Sequence, residues 1–191
     1  MLWPFSSTTE GGLTHIASES ARSAIVLSEC VDGTRCDALT AISCSLLQTL
    51  VRDCTGALLR QYAYAPVAPA ALPWLYPLLE DLFVRCAARL GCRLIGIAEE
   101  ARLQTYGPGG HVDWHHDAHC IVAYERKVSL SIQLSPSEAY RGGDLEFRDL
   151  ELNGCDARAR GSAIAFPSQA VHRVSAVIHG ARSSLVAWAY G

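Results

Sequence analysis

The chain lacks any long apolar run. No stretch reaches the roughly 18 residues that a membrane-spanning helix needs, and the start, Met1-Leu-Trp-Pro-Phe-Ser, has none of the basic, apolar and small-residue segments of a secretory signal. A cytoplasmic location with no membrane partner is the expectation. Long runs of one charge are missing too: 16 Lys and Arg stand against 19 Asp and Glu, for a formal net charge of -3. Without a basic footprint no nucleic-acid partner is expected, and a substrate has to be recognised locally. CxxC pairs are absent. Cys30, Cys36, Cys44, Cys54, Cys86, Cys92, Cys120 and Cys155 are scattered through apolar stretches, which reads as buried thiols rather than a disulfide frame or a zinc site. Internal repeats and low-complexity blocks are likewise missing.

What is present suits one domain over residues 1–191, because half of the 191 residues are hydrophobic. Residues 1–20, rich in Ser, Thr, Glu and Gly, read as a loose arm or edge strand, residues 21–91 as helical support, and residues 92–191 as the sheet core that carries the site. A first helix is expected from Thr34 as N-cap, with Asp37 three residues on and Leu39, Ile42, Leu46 and Leu50 following at helical spacing until Gly56. A second is expected from Pro73, with Leu75, Leu78, Leu82, Cys86 and Leu90 on one face and Gly91 at its end. Beyond Cys92 short runs of Val, Ile, Thr and Tyr alternate with turn residues. Lys127 to Leu134 is the clearest strand: Val128, Leu130, Ile132 and Leu134 alternate with Ser129, Ser131 and Gln133. The fold class is therefore mostly β with supporting α-helices, the apolar strand face packing on helices. The polar face then lines a small-ligand cavity in a distorted double-stranded β-helix, or jelly roll.

The stretch Tyr106-Gly-Pro-Gly-Gly-His-Val-Asp-Trp-His-His-Asp-Ala-His holds four of the seven histidines. On a strand, alternate residues share a face, so His115 and Asp117 can meet one ion while His116 points away. His172, on a distant strand-like segment, supplies a third ligand. Two imidazoles and a carboxylate on one face leave coordination positions open, as iron(II) oxygen chemistry requires. An HxD pair alone arises often by chance, and the residues downstream of His172 weigh more. Arg182 and Ser184 share one face of a strand-like segment, and a guanidinium fork matches a carboxylate in two hydrogen bonds. A dicarboxylate co-substrate fits that fork.

Three stretches together resemble the 2-oxoglutarate and iron(II)-dependent oxygenases of the prolyl 4-hydroxylase-like superfamily, especially the PKHD-type hydroxylases. They are Tyr106-Gly-Pro-Gly-Gly with Trp114-His115-His116-Asp117; Lys127 to Leu134 leading to Tyr140-Arg-Gly-Gly-Asp-Leu-Glu-Phe147; and Phe166-Pro-Ser through His172, Gly180, Arg182 and Trp188. The resemblance implies iron(II) on His115, Asp117 and His172, with the far carboxylate of 2-oxoglutarate on Arg182. It further implies co-substrate contacts from Tyr106, Ser184 and Gln133, dioxygen as oxidant, and ascorbate as a stimulant. Gly142 and Gly143 match a turn suited to glycine. His111 and Val112 stand where relatives commonly carry an aromatic pair. The implied activity is hydroxylation of an unactivated C–H, on an amino-acid side chain such as a prolyl residue of a peptide or protein. A free amino acid or natural-product small molecule is the rival substrate. Two other readings of the same residues stay open: a cupin-like enzyme using the triad without a keto acid, and a non-catalytic jelly-roll binding module.

Overall fold

The computed structural model describes residues 3–6, 23–42, 47–121, 124–153 and 157–191. Most of the expected loose arm over 1–20 lies outside these residues. In chain order the first half comprises β1 (Trp3–Pro4), β2 (Ser23–Leu27), α1 (Gly33–Thr40), β3 (Leu47–Arg52), β4 (Leu58–Val67) and α2 (Leu75–Ala87). The second half is strand after strand: β5 (Gly96–Ile97), β6 (Ala101–Tyr106), β7 (His111–His115), β8 (Cys120–Ile121), β9 (Tyr124–Gln133), β10 (Tyr140–Gly142), β11 (Leu145–Phe147) and β12 (Glu151–Asn153). It ends with β13 (Ala163–Pro167), β14 (His172–Val174), β15 (Val177–Gly180) and β16 (Arg182–Tyr190).

The main sheet runs in the order β11-β14-β7-β4-β6-β16-β9-β13-β2-β12. Its pairs are antiparallel except β12 with β2. The sheet curls until β7 and β14 face β9 and β16 across one cavity, which is the distorted double-stranded β-helix expected from the alternating strands. Strand β9 shows how this arises. Val128, Leu130 and Ile132, all at most 1% exposed, join one apolar core with Leu75, Leu79, Leu82, Phe83 and Cys86 of α2 and with Leu185 and Ala187 of β16. The spacing of the α2 residues puts them on one helical face, so helix and sheet meet as two apolar surfaces. Cys36 and Leu39 of α1 join the same core, so the helices lie on one sheet as expected.

The first helix departs from expectation at both ends. Its N-cap is Asp32, whose carboxylate accepts from the Arg35 N–H at 2.8 Å, and it stops at Thr40. Leu50, expected on its apolar face, instead sits on β3, which pairs antiparallel with β4 from Leu47↔Tyr64 to Arg52↔Leu58. Pairing with a ten-residue partner strand outweighs the weak helical preference of Gln-Thr-Leu-Val. The segment 21–91 thus contributes three strands as well as both helices. The second helix begins at Leu75 rather than Pro73.

The Gly142-Gly143 turn is built on left-handed backbone, φ +72° and +66°. A Cβ on Gly142 would stand 2.2 Å from the Ala176 carbonyl, so glycine is required on steric grounds as well as conformational ones. Among the described cysteines all thiols are free; Cys36 and Cys86 are buried, but Cys54 and Cys120 are exposed, against the expectation of burial. Cys54 lies in the tight turn between β3 and β4, where the Asp53 side chain accepts from Thr55 and Ala57, and no core reaches it. No helix among the described residues is long and apolar enough to cross a membrane.

Candidate active site

Strands β7 and β14 are hydrogen-bonded neighbours in which His115 lies opposite His172, and the two rings are 4.3 Å apart. Each imidazole is fixed in the same way. Nδ1 of His115 meets the Asp113 carbonyl at 2.8 Å, and Nδ1 of His172 meets the Ala170 carbonyl at 2.9 Å. A carbonyl only accepts, so Nδ1 of each ring carries a hydrogen there, which turns Nε2 toward the cavity. Burial, and then the neighbouring His172, push the His115 pKa down to about 4, so that ring is neutral at physiological pH.

Asp117 reaches the same point by another route than expected. Strand β7 ends at His115, so alternation on a strand does not orient Asp117. The backbone leaves the strand, and the N–H groups of Asp117 and Ala118 both donate to the Ser168 carbonyl, at 2.8 and 2.9 Å. Oδ2 accepts from Ser129 Oγ at 2.8 Å and from Trp188 Nε1 at 2.9 Å. Burial raises the Asp117 pKa, but His172 and the two donors outweigh it, so the carboxyl sits below its usual range and is ionised. Its oxygens stand 3.6 Å from His115 Nε2 and 3.7 Å from His172 Nε2. Those separations are too long for good hydrogen bonds and suit three atoms around one cation. One ligand atom from each of the three residues lies within 4.8 Å of the others, and among the described residues no further such cluster occurs. Two imidazoles presenting Nε2 and one carboxylate, each oriented by a hydrogen bond from behind, form a donor set that fits iron(II).

Arg182 opens β16, opposite Tyr106 on β6. It is 2% exposed, donates to Ser184 Oγ at 3.3 Å and lies 5.3 Å from the centre of the Tyr106 ring. No acidic partner faces it among the described residues. A permanently charged group so deeply buried ordinarily has a counter-ion, so this end of the cavity has the chemistry to hold an anion. Tyr106 lines the cavity, and its hydroxyl donates to Gln104 Oε1 at 2.7 Å. Ser184 lines it as well. Gln133 does not, although it pairs in register with Ser184; its amide donates to the Tyr140 hydroxyl at 2.8 Å.

The remaining histidines fall elsewhere. His111 spans the Gly109 and Leu58 carbonyls at 2.9 and 3.0 Å, away from the cavity that Val112 lines, and His116 and His119 do not line it either. Sequence reasoning put Ser129 on the cavity-facing side of its strand and Trp188 in a matching stretch without giving either a contact, and did not single out Arg126 or Arg60; all four line the cavity. A signal existed for two of them: Ser129 lies on the polar face of β9, and Trp188 follows Arg182 and Ser184 at even spacing along β16. Arg126 stacks on Trp188 at 4.1 Å and donates to Glu99 at 2.6 Å and to the Asp117 carbonyl at 3.3 Å, bracing both ends of the Trp188–Asp117 contact.

Comparison with known proteins agrees with this geometry. Residues 101–190 match the model of the 2OG-Fe(II) oxygenase superfamily. A PKHD-type hydroxylase of Picosynechococcus is 32% identical over 83 residues, covering 44% of this chain and 38% of that protein. A second, from Parvibaculum lavamentivorans, is 30% identical over 86 residues, 45% of this chain and 39% of the relative. The matched stretch thus spans well under half the length of these curated relatives. Among solved structures, a viral collagen prolyl hydroxylase from Paramecium bursaria Chlorella virus-1 superposes with a TM-score of 0.66 at 16% identity, over 89% of this chain and 97% of that one. A Trichoplax adhaerens prolyl hydroxylase, solved with a peptide fragment of the hypoxia inducible factor oxygen degradation domain, gives 0.63 at 16% identity, over 88% and 84%. These two likenesses show a common fold. The family match covers the strands that carry the triad, so residues 101–190 are similar to the 2-oxoglutarate and iron(II)-dependent oxygenases, and the fold is one shared with prolyl hydroxylases.

Proposed function

We propose that the protein is a dioxygenase that hydroxylates an unactivated C–H of an amino-acid side chain, such as a prolyl residue of a peptide, with 2-oxoglutarate as co-substrate. One observation carries the reading. The His115, Asp117 and His172 donor atoms converge in the same cavity as the buried, acid-free guanidinium of Arg182. A metal ligand set alone suits many reactions; a carboxylate-binding arginine beside it suits a keto diacid.

In this reading His115, Asp117 and His172 hold the metal, and iron(II) bound there supplies dioxygen activation coupled to oxidative decarboxylation of 2-oxoglutarate. The protein does the rest by position. Ser129 and Trp188 keep Oδ2 of Asp117 occupied from behind, so the carboxylate cannot swing away from the two imidazoles. Arg182 and Ser184 grip the far carboxylate, with Tyr106 beside them, and Gln133 holds the Tyr140 hydroxyl. The cavity walls, including Leu145, Phe166 and Val174, exclude water from the reacting end. Ascorbate in the assay is expected to sustain turnover by keeping the iron ferrous.

Arg182→Ala tests the assignment. Loss of a charge-assisted bidentate contact, worth about 1.5 to 3 kcal/mol, should raise the 2-oxoglutarate KM by about tenfold or more while iron content holds. Steady-state succinate release and metal analysis read the two quantities separately. An unchanged KM would sink the reading, and equal loss of both would mean that the variant is misfolded.

A further inference from the structure

Four arginines line the cavity: Arg60, Arg102, Arg126 and Arg182. Three are accounted for. Arg182 is the co-substrate residue proposed above. Arg102 and Arg126 both pair with Glu99, Arg102 at 3.0 Å, and both stack on Trp188. Arg60 has neither an ion pair nor a hydrogen bond among the described residues. It lies on β4 opposite Val112, with Tyr62 next on the same face, and Val112 and Tyr62 also line the cavity. His115 and Tyr106 line the same cavity, so Arg60 shares it with a metal ligand and with the co-substrate end.

A half-buried guanidinium on a cavity wall gives up part of its hydration and never loses its proton, so it gains most from an oxyanion. The loaded site does not supply one. Iron(II) with one carboxylate and two neutral imidazoles keeps a single positive charge, and the two charges of 2-oxoglutarate offset that and Arg182. Glu99 can balance only one of Arg102 and Arg126. The filled cavity therefore stays positive, with Arg60 as its unanswered cation near the reacting end, and an anionic substrate is attracted.

Resting on the function proposed above, we infer that the primary substrate carries a carboxylate that binds Arg60 and aligns the neighbouring C–H with the metal site. The carboxylate has two sources, the α-carboxylate of a free amino acid or an acidic side chain beside the target residue in a peptide. A planar two-pronged contact fixes orientation as well as position, as hydroxylation at one carbon requires.

The test measures 2-oxoglutarate consumption by the iron-loaded protein with four probes: a pool of free L-amino acids, the same pool as carboxamides, proline-containing pentapeptides bearing Asp or Glu, and the same peptides with Asn or Gln. One acid-bearing pool should stimulate consumption about tenfold or more above its amide counterpart, and which one names the source. Arg60→Gln should raise KM for the best acid by about tenfold with a smaller change in kcat and abolish the preference, whereas Arg60→Lys should keep part of it. The same acid pool should raise the Tm of the manganese- and 2-oxoglutarate-loaded wild type and fail to do so in Arg60→Gln. Equal stimulation by amides, no stimulation by any acid, or an unaltered preference in Arg60→Gln overturns the inference while 2-oxoglutarate consumption by the wild type keeps the proposed function. No consumption under any condition overturns both.

Discussion

The two faces of β9 are buried alike and held differently. Val128, Leu130 and Ile132 are at most 1% exposed, while Ser129, Ser131 and Gln133, between them, are at most 5% exposed. On the first face the neighbours are the apolar side chains of α2 and β16, and burial is non-directional. On the second, Ser129 is tied to Asp117 and Ser168, and Gln133 to Tyr140. Equal burial therefore serves two ends: one face holds the strand in the fold, and the other aims groups at a point. Changes on the aiming face should cost function without stability, and changes on the apolar face the reverse. The largest effect expected is from Asp117→Ala, which removes the sole carboxylate of the triad. Bound iron should fall to background and succinate release should drop about a thousandfold or more, with the far-ultraviolet circular dichroism unchanged. Retained turnover would break the comparison at its centre.

Ile132→Ala tests the opposite face. The side chain is fully buried in the core between sheet and helices, and truncation leaves a cavity that close-packed neighbours fill only in part. A loss of about 2 to 5 kcal/mol in unfolding free energy is expected, read as a lower denaturant midpoint at unchanged slope. The folded fraction should keep the wild-type KM for 2-oxoglutarate. A raised KM with no loss of stability would show that the faces are not separable.

This division of the strand was legible in the sequence because it depends on period-two alternation, a purely local property. Local spacing likewise made the α2 stripe legible, and Arg182 and Ser184 on one strand face. Contacts set by pairing at long range were not legible. Leu46, which lies outside the described residues, and Leu50 continue the spacing of Leu39 and Ile42, so a helix reads there as well as the strand β3 that forms from Leu47, and the deciding partner, β4, is a separate segment. Asp117 was assigned to a strand, whereas the Ser168 carbonyl, far downstream, holds it outside one. Gln133 shares the parity of the cavity residues but does not line the cavity, its amide being taken up by Tyr140, a partner that alternation does not encode. Arg60 gave no signal, since its lack of an acidic partner is a property of three-dimensional surroundings.

The smallest effect expected, and the sharpest on the aiming face, is that of Ser129→Ala. Its hydroxyl is one of two donors to Oδ2 of Asp117, and Trp188 Nε1 remains as the other. The carboxylate should stay near its place with more freedom to rotate, and iron affinity should fall about tenfold, as is usual when a group behind a ligand is removed. Trp188→Phe should cost a similar amount by removing the other donor. The double variant should lose more than the two singles together, because Oδ2 then has no donor in a buried site. Competition with a chelator of known strength measures all three. Strict additivity would mean that Ser129 and Trp188 act independently, and that Asp117 is held by its backbone contacts to Ser168 rather than by its carboxylate.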